Sequence, residues 1–372
     1  MKPVLVFAIA LAIRWAAIHE IYDTPTYRSP LVDAYAYDQS GRAIAKNGPG
    51  ALEVPYYQPP LYPMLLGGIY RLTGGSYTAP RIANAFFGAA TATLVFMLGS
   101  ALFTTGAGIA GAAFFALDGP VLYFEGELLP VAFLLFTQTL ALVLAMFAGR
   151  SQKPGLWLAG AGLAVGLATA ARPTGLLLGI AIAGWWIVGQ KGQHRWRALI
   201  PAVVGTALPI LPFTIANLRA GEAILVSWNG GINFYLGNGA HADSLTAIQP
   251  GADWERLQRA PRQAGVTSHA GESNYWVQRA FREMKADPVS WMSAFAHKVD
   301  RLFDARETPR NTDWEAFRPS SKVLSLPLPT FAILAPLAFF ALVRGIGNPR
   351  LRQLLFLSLA CVAFQNLVFF VA

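Results

Sequence analysis

Residues 154–171 read PGLWLAGAGLAVGLATAA, an unbroken run without one charged side chain, held between Lys153 and Arg172. A bilayer crossing needs about 20 such residues. The glycines and alanines let a helix approach its neighbours closely in lipid. Working outward, further apolar runs cover about 3–21, 80–103, 106–124 and 127–148 on one side, and 173–189, 197–216, 326–344 and 352–371 on the other. The fold class is therefore an all-α integral membrane protein, a multi-span helical bundle of about nine transmembrane helices.

Composition agrees. Only 13% of the 372 residues are charged and 54% are apolar, whereas soluble domains carry about 25% charged residues. A net charge of +9 invites a nucleic-acid reading. That reading fails, because the cations sit in short loops between apolar runs rather than on one polar face. The single cysteine, Cys361, forms no internal disulfide and says nothing of redox compartment. The first run is broken by Arg14 and no small-x-small site follows it, which favours a retained anchor over a cleaved signal.

Lysine and arginine in short loops set orientation. Lys2, the pair Arg150 and Lys153, the trio Lys191, Arg195 and Arg197, and the trio Arg344, Arg350 and Arg352 all fall on one face of a nine-span chain. That face is the cytoplasm. The expected layout is a bundle over 1–216 that includes a first outer segment, 22–79. A second outer segment with interfacial helices follows at 217–325, and C-terminal spans at 326–372. The protein is expected in the cell inner (plasma) membrane, multi-pass, with a cytoplasmic N-terminus and a site on the periplasmic or extracellular face.

The first outer segment carries Asp33-Ala34-Tyr35-Ala36-Tyr37-Asp38 and Tyr56-Tyr57-Gln58-Pro59-Pro60-Leu61-Tyr62-Pro63. Ala34, Tyr37, Gly41 and Ile44 recur at helical spacing, predicting a short amphipathic helix on the membrane with Asp33 in its first turn. There the carboxylate either caps the helix or does chemistry. Leu61 to Leu72 predicts a second short helix, opened by Pro59-Pro60 and closed by Gly74-Gly75. In the second outer segment, Trp228-Asn229-Gly230-Gly231-Ile232-Asn233 through Asn238 reads either as a tight turn or as sugar recognition by amides and rings. Tyr275, Trp276, Ala280 and Phe281 share one helix face. Val289 to Phe303 predicts a helix resting in the headgroup layer.

Taken with Tyr123-Phe124-Glu125-Gly126-Glu127, Ala171-Arg172-Pro173-Thr174, and Lys298 followed by Glu307-Thr308-Pro309-Arg310-Asn311, these stretches resemble bacterial C-type (GT-C) membrane glycosyltransferases. The likeness is to glycosyltransferase family 39, the PMT-like relatives of the dolichyl-phosphate-mannose protein mannosyltransferases. The resemblance implies a GT-C-like bundle and transfer of a sugar from a polyprenyl-phosphate donor to a protein, lipid or glycan acceptor. It implies Asp33 as catalytic base, Glu125 or Glu127 as the acidic position of the second outer loop, and Arg172 and Lys298 near the carrier phosphate. It also implies a further arginine- and tyrosine-bearing stretch and more spans beyond the ninth, so the chain is expected to be a fragment or a shortened member.

Several readings stay open on the residues alone. Asp33, Asp38, Glu125 and Glu127 can be ligands of a divalent metal, although no certain cofactor is called for; Glu125 and Glu127 can equally be solvated loop residues. Arg14 either snorkels to the headgroups or lines the donor cavity beside its phosphate. Asp118, costly in lipid, should face the bundle interior or a wet cavity, with Arg172 as one candidate partner. Substrate contacts are expected from Tyr57, Gln58, Tyr62, Asn229, Asn233, Asn238, Glu307 and Asn311. Apart from the bilayer, the expected partners are the lipid-linked donor and its acceptor, with no nucleic acid. The rival function is a transporter or lipid flippase, kept in view by Arg14 and Asp118. A non-catalytic envelope assembly factor is the third.

Overall fold

The computed structural model describes residues 2–190, 194–240, 242, 248, 250–304, 306, 313–326 and 330–368. Among these residues every regular element is helical. Six helices are long and apolar enough to cross a membrane. They are α1 (Lys2–Ile21), α5 (Thr78–Leu102), α8 (Val131–Ala148), α9 (Pro154–Ala171), α11 (His194–Arg219) and α19 (Pro349–Val368). A seventh crossing is made if α6 (Thr105–Ala116) and α7 (Gly119–Gly126), bent by 52°, count as one span. The regions 173–189 and 326–344 hold shorter apolar helices, α10 (Leu176–Gly189) and α18 (Phe331–Val343). The expected nine crossings are therefore not confirmed as a count, although each expected region holds helix among its described residues.

Small residues decide the tightest pairing. Gly162 and Gly166 of α9 and Gly205 of α11 face the other helix so closely that a methyl group would strike the carbonyls of Ala202, Thr206 and Ala159 respectively. Glycine four residues apart is what lets two helix backbones meet in lipid. This pairing runs the end of α9 beside the last turns of α11, where Ala170 packs with Phe213.

The first outer segment folds as predicted in outline, with one correction. α3 (Val32–Asn47) buries Ala34, Tyr37, Gly41 and Ile44, the expected stripe. That stripe is covered by α4 (Leu61–Thr73) and not by lipid. Gly41 lies against Leu66 and Tyr70, and Gly67 against Ile44. α4 ends on Gly74 in the left-handed conformation, and the Gly75 amide donates to the Tyr70 carbonyl at 2.9 Å, the closing bond of a Schellman motif.

The second outer segment has its own small core. α12 (Gly230–Asn238), α13 (Ala252–Gln263) and α14 (His269–Ala286) bring together Ile232, Tyr235, Leu236, Trp276 and Ala280. Of the predicted face of α14, Trp276 and Ala280 are buried while Phe281 points out. α15 (Pro288–Phe303) follows at once.

Candidate active site

Asp33 enters α3 through a strained residue. Val32 has φ of 48°, a region that a β-branched side chain rarely adopts and that costs on the order of 1–3 kcal/mol. Such strain holds only where surrounding structure enforces it. Here it sets the half-buried Asp33 in the first turn of α3, beneath which Tyr37 is buried.

Two phenols meet Asp33 electrostatically, and one of them also meets Arg172. Burial lifts the Tyr37 hydroxyl well above its ordinary range, the Asp33 charge lifts it further, and the Arg172 charge pulls it back. Burial also pushes Tyr57 up to about 12, with Asp33 adding to the rise and a hydrogen bond with the Gln258 side chain opposing it. One carboxylate, one guanidinium and two phenols therefore share a small region. Arg172 reaches it because α9 ends there. Pro173 follows, the Arg172 backbone is extended (φ −156°), and its side chain is exposed. Among the described residues its guanidinium makes no hydrogen bond or ion pair.

The turn Glu125-Gly126-Glu127 sits at the same end of the bundle and is clamped from α5. Arg81 Nε donates to the Gly126 carbonyl at 2.7 Å, and Asn84 Nδ2 donates to the carbonyls of Glu125 and Glu127 at 3.1 and 3.0 Å. Arg81 also donates to the Tyr77 carbonyl at 2.8 Å and stacks 4.0 Å from the centre of the Tyr27 ring. Both clamp residues are almost wholly buried. They were missed by sequence reasoning. The available signal was an arginine and an asparagine three apart at the start of an apolar span.

Burial removes the solvated-loop reading of Glu125 and Glu127, which are 3% and 7% exposed. Glu125 pairs with Arg14: Nε lies 2.6 Å from Oε2, and Nη2 donates to Oε1 at 3.2 Å. Only the second contact is aligned as a hydrogen bond. Snorkelling of Arg14 is thereby corrected, since the side chain is 2% exposed and also donates back to the Ala10 carbonyl. It lines a small pocket whose walls are mostly apolar (Ile18, Ile21, Leu122, Phe317), together with the polar Arg81, Glu125, Glu127, Thr24 and Thr26. Glu127 opens into this pocket, its carboxyl raised above the usual value by burial and opposed by the charge of Arg81. Asp118, half-buried, caps α7 by accepting from the Val121 amide at 2.9 Å. That local bond, rather than Arg172, satisfies it.

Asp38 is almost fully buried between α3 and α4. It accepts from Tyr70 Oη at 2.6 Å and from Arg42 Nε at 2.9 Å. With Glu125 committed to Arg14 as well, two of the four carboxylates suggested for a divalent metal pair with separate cations. Among the described residues no group of three His, Cys, Asp or Glu side chains could hold a metal ion.

The second outer segment docks beside Asp33 through Asn217, at the end of α11. Its Nδ2 donates to the carbonyls of Ile224 and Val226, and its Oδ1 accepts from the Tyr56 amide at 3.2 Å. The Trp228 and Asn229 amides donate to the carbonyls of Tyr56 and Tyr57. The Trp228 ring meets Tyr57 edge-on, with centres 4.7 Å apart, and lies 5.1 Å from His269. Asn229 and Asn233 are half-buried, and Asn229 Oδ1 accepts from the Ser227 hydroxyl at 3.2 Å. Gln58 is half-buried on the adjoining loop. Tyr62 is buried edge-on against Tyr37, with centres 5.3 Å apart, rather than open to a ligand.

Two expected residues lie elsewhere. Lys298 Nζ donates to Asn238 Oδ1 at 3.3 Å and to the Leu367 carbonyl at 3.1 Å, so Lys298 and Asn238 close on the end of α19. Glu307 and Asn311 fall outside the described residues.

Fold and geometry together define a polytopic helical membrane protein that gathers acidic, basic and phenolic side chains at one end of its bundle. Residues 57–216 match the family model described as dolichyl-phosphate-mannose-protein mannosyltransferase. Over that segment, less than half of its length, the chain is similar to that family. Among curated proteins none matches the chain. The solved S. cerevisiae protein O-mannosyltransferase Pmt1-Pmt2 complex bound to the sugar donor is 16% identical, with a TM-score of 0.44 over 63% of this chain and 36% of that one. This chain thus spans about a third of that protein. ArnT from Cupriavidus metallidurans bound to undecaprenyl phosphate is likewise 16% identical, with a TM-score of 0.49 over 98% of this chain and 76% of that one.

Proposed function

We propose that the protein is an integral membrane glycosyltransferase that moves a sugar from a polyprenyl-phosphate carrier to an acceptor hydroxyl on the non-cytoplasmic face. The observation that carries this reading is the convergence of Asp33 and Arg172 on Tyr37. A sugar on a lipid phosphate already has a good leaving group, so the protein has two tasks. Asp33 takes the proton from the acceptor hydroxyl as its oxygen bonds to the anomeric carbon, a step worth about 10²–10⁴-fold. The bond from that carbon to the phosphate oxygen breaks, and the phosphate leaves with the electron pair. Arg172 offers forked donors to the charge gathering there. Attack from the face opposite the phosphate inverts the anomeric centre.

Sidedness in this reading follows the cations. Arg150, Lys153, Arg344, Arg350 and Arg352 belong to the opposite end of the bundle, where the Trp185 indole donates to the Arg350 carbonyl at 2.8 Å. The positive-inside rule puts that end in the cytoplasm. The transporter reading drew on Arg14 and Asp118. Their partners, Glu125 and the Val121 amide, account for both locally.

The test is direct. Purified protein in lipid nanodiscs is incubated with radiolabelled polyprenyl-phosphate hexoses and pentoses and with membrane extract as acceptor source. Label leaving at least one carrier for a new product, with the anomeric configuration inverted, is expected. Label that stays on every carrier would overturn the reading.

A further inference from the structure

α15 meets three environments around its circumference, although its sequence shows only two kinds of side chain. One stripe faces the protein: Lys298 is buried, and Trp291, Phe295 and Leu302, on the same side at helical spacing, are half-buried. A second stripe is polar and open, with Ser290, Ser293 and Asp300. Between them lies an apolar stripe that no part of the described chain covers. There Val289 is 77% exposed, Met292 65% and Phe303 71%. A helix packed on a soluble domain would turn those residues inward. This one keeps the outer half of its apolar arc for something else.

Its attachment indicates what that is. Lys298 ties α15 to the Leu367 carbonyl at the end of α19. α19 has 20 residues, and at 1.5 Å per residue it is about as long as the hydrocarbon core is thick. Its last carbonyls therefore lie at the membrane boundary. Below them α19 exposes Phe356, Leu359, Val362 and Phe364, the side chains of a lipid-facing surface.

We propose that α15 lies in the outer edge of the bilayer at the corner between protein, lipid and water, with Val289, Met292 and Phe303 immersed among lipid acyl chains and Ser290 and Ser293 in the aqueous headgroup layer. The occupant of the open stripe is bilayer lipid. Nothing in this inference depends on the transferase reading.

Site-directed quenching tests it on the full chain in phosphatidylcholine nanodiscs. Single cysteines replace Val289, Met292, Phe303, Ser290 or Ser293 in a Cys361→Ala background, and each carries the same environment-sensitive fluorophore. Brominated phosphatidylcholine should quench labels at 289, 292 and 303 at least twofold more than labels at 290 and 293, and aqueous iodide should show the reverse order. Equal iodide quenching at all five sites would overturn the proposal. So would labels at 289, 292 and 303 that neither quencher reaches, the result expected if a second copy or another protein covered the stripe. Three independent apolar positions keep the test decisive if one variant folds poorly.

Discussion

The two ends of the helix bundle are built by different physics. At the end that carries Asp33, polar side chains hold backbone groups: Arg81 and Asn84 take the carbonyls of residues 125–127, and Asn217 ties α11 to both outer segments. At the other end Leu98, Leu102, Met146, Leu158, Trp185, Trp186, Leu351 and Leu354 form an apolar cluster, with few polar links between its helices. Contact area and fit govern the apolar end. The polar end depends on specific partners, because a buried donor or acceptor left alone costs about 1–3 kcal/mol in itself. Precision of that kind is what a reaction site needs and what a packing cluster can do without.

The sharpest contrast is kinetic. Asp33→Asn should lower sugar transfer about 10²–10⁴-fold with an unchanged melting temperature in nanodiscs, whereas Leu354→Ala should lower stability by about 2–5 kcal/mol with turnover per folded molecule retained. Retained transfer in Asp33→Asn would remove Asp33 as the base, and lost transfer in folded Leu354→Ala would erase the distinction between the ends.

Next in size is the buried ion pair. Glu125→Ala leaves Arg14 charged and alone and should cost about 3–5 kcal/mol in chemical unfolding. The double change of Arg14→Met with Glu125→Leu should recover most of that loss, because two apolar groups replace a desolvated pair. A double variant as unstable as the single one would show that the pair does more than neutralise itself.

A smaller effect is expected at the exposed cation. Arg172→Ala should raise the KM for the lipid-linked donor roughly tenfold, in line with the loss of a hydrogen bond to a charged group, and Arg172→Lys should restore part of it. An unchanged KM would exclude a phosphate role.

The smallest effect concerns pH. Burial raises the Glu127 carboxyl above its ordinary 4.5. The folded state therefore holds that proton more tightly than the unfolded chain. The resulting stability is fully present below pH 4.5 and is lost as pH rises through the raised value. Glu127→Gln should gain on the parent protein in melting temperature over that rise. Parallel curves would mean that Arg81 cancels the burial.

Much of this was readable from residue pattern alone. The apolar runs, the α3 stripe Ala34-Tyr37-Gly41-Ile44 and the glycine stop after α4 are local, and local periodicity or backbone freedom fixes them wherever the chain goes. Arg14 and Asp118 were visible but ambiguous, and Arg81 was missed. A charge in an apolar span reads the same whether it lines a channel, grips a phosphate or closes on a neighbouring carbonyl. Asn217 gave no signal, because one asparagine at a helix end is commonplace until its three backbone partners are known.

By itself the sequence determined that the chain is a helical membrane protein and offered Asp33 and Arg172 as candidate site residues. Only the tertiary structure decided that Arg14 closes on Glu125, that Asp38 is spent on Tyr70 and Arg42, and that Arg172 comes within electrostatic reach of Asp33 through Tyr37. Hydrophobic runs are properties of neighbouring residues, whereas the partner of a buried charge is chosen by elements far apart in the chain.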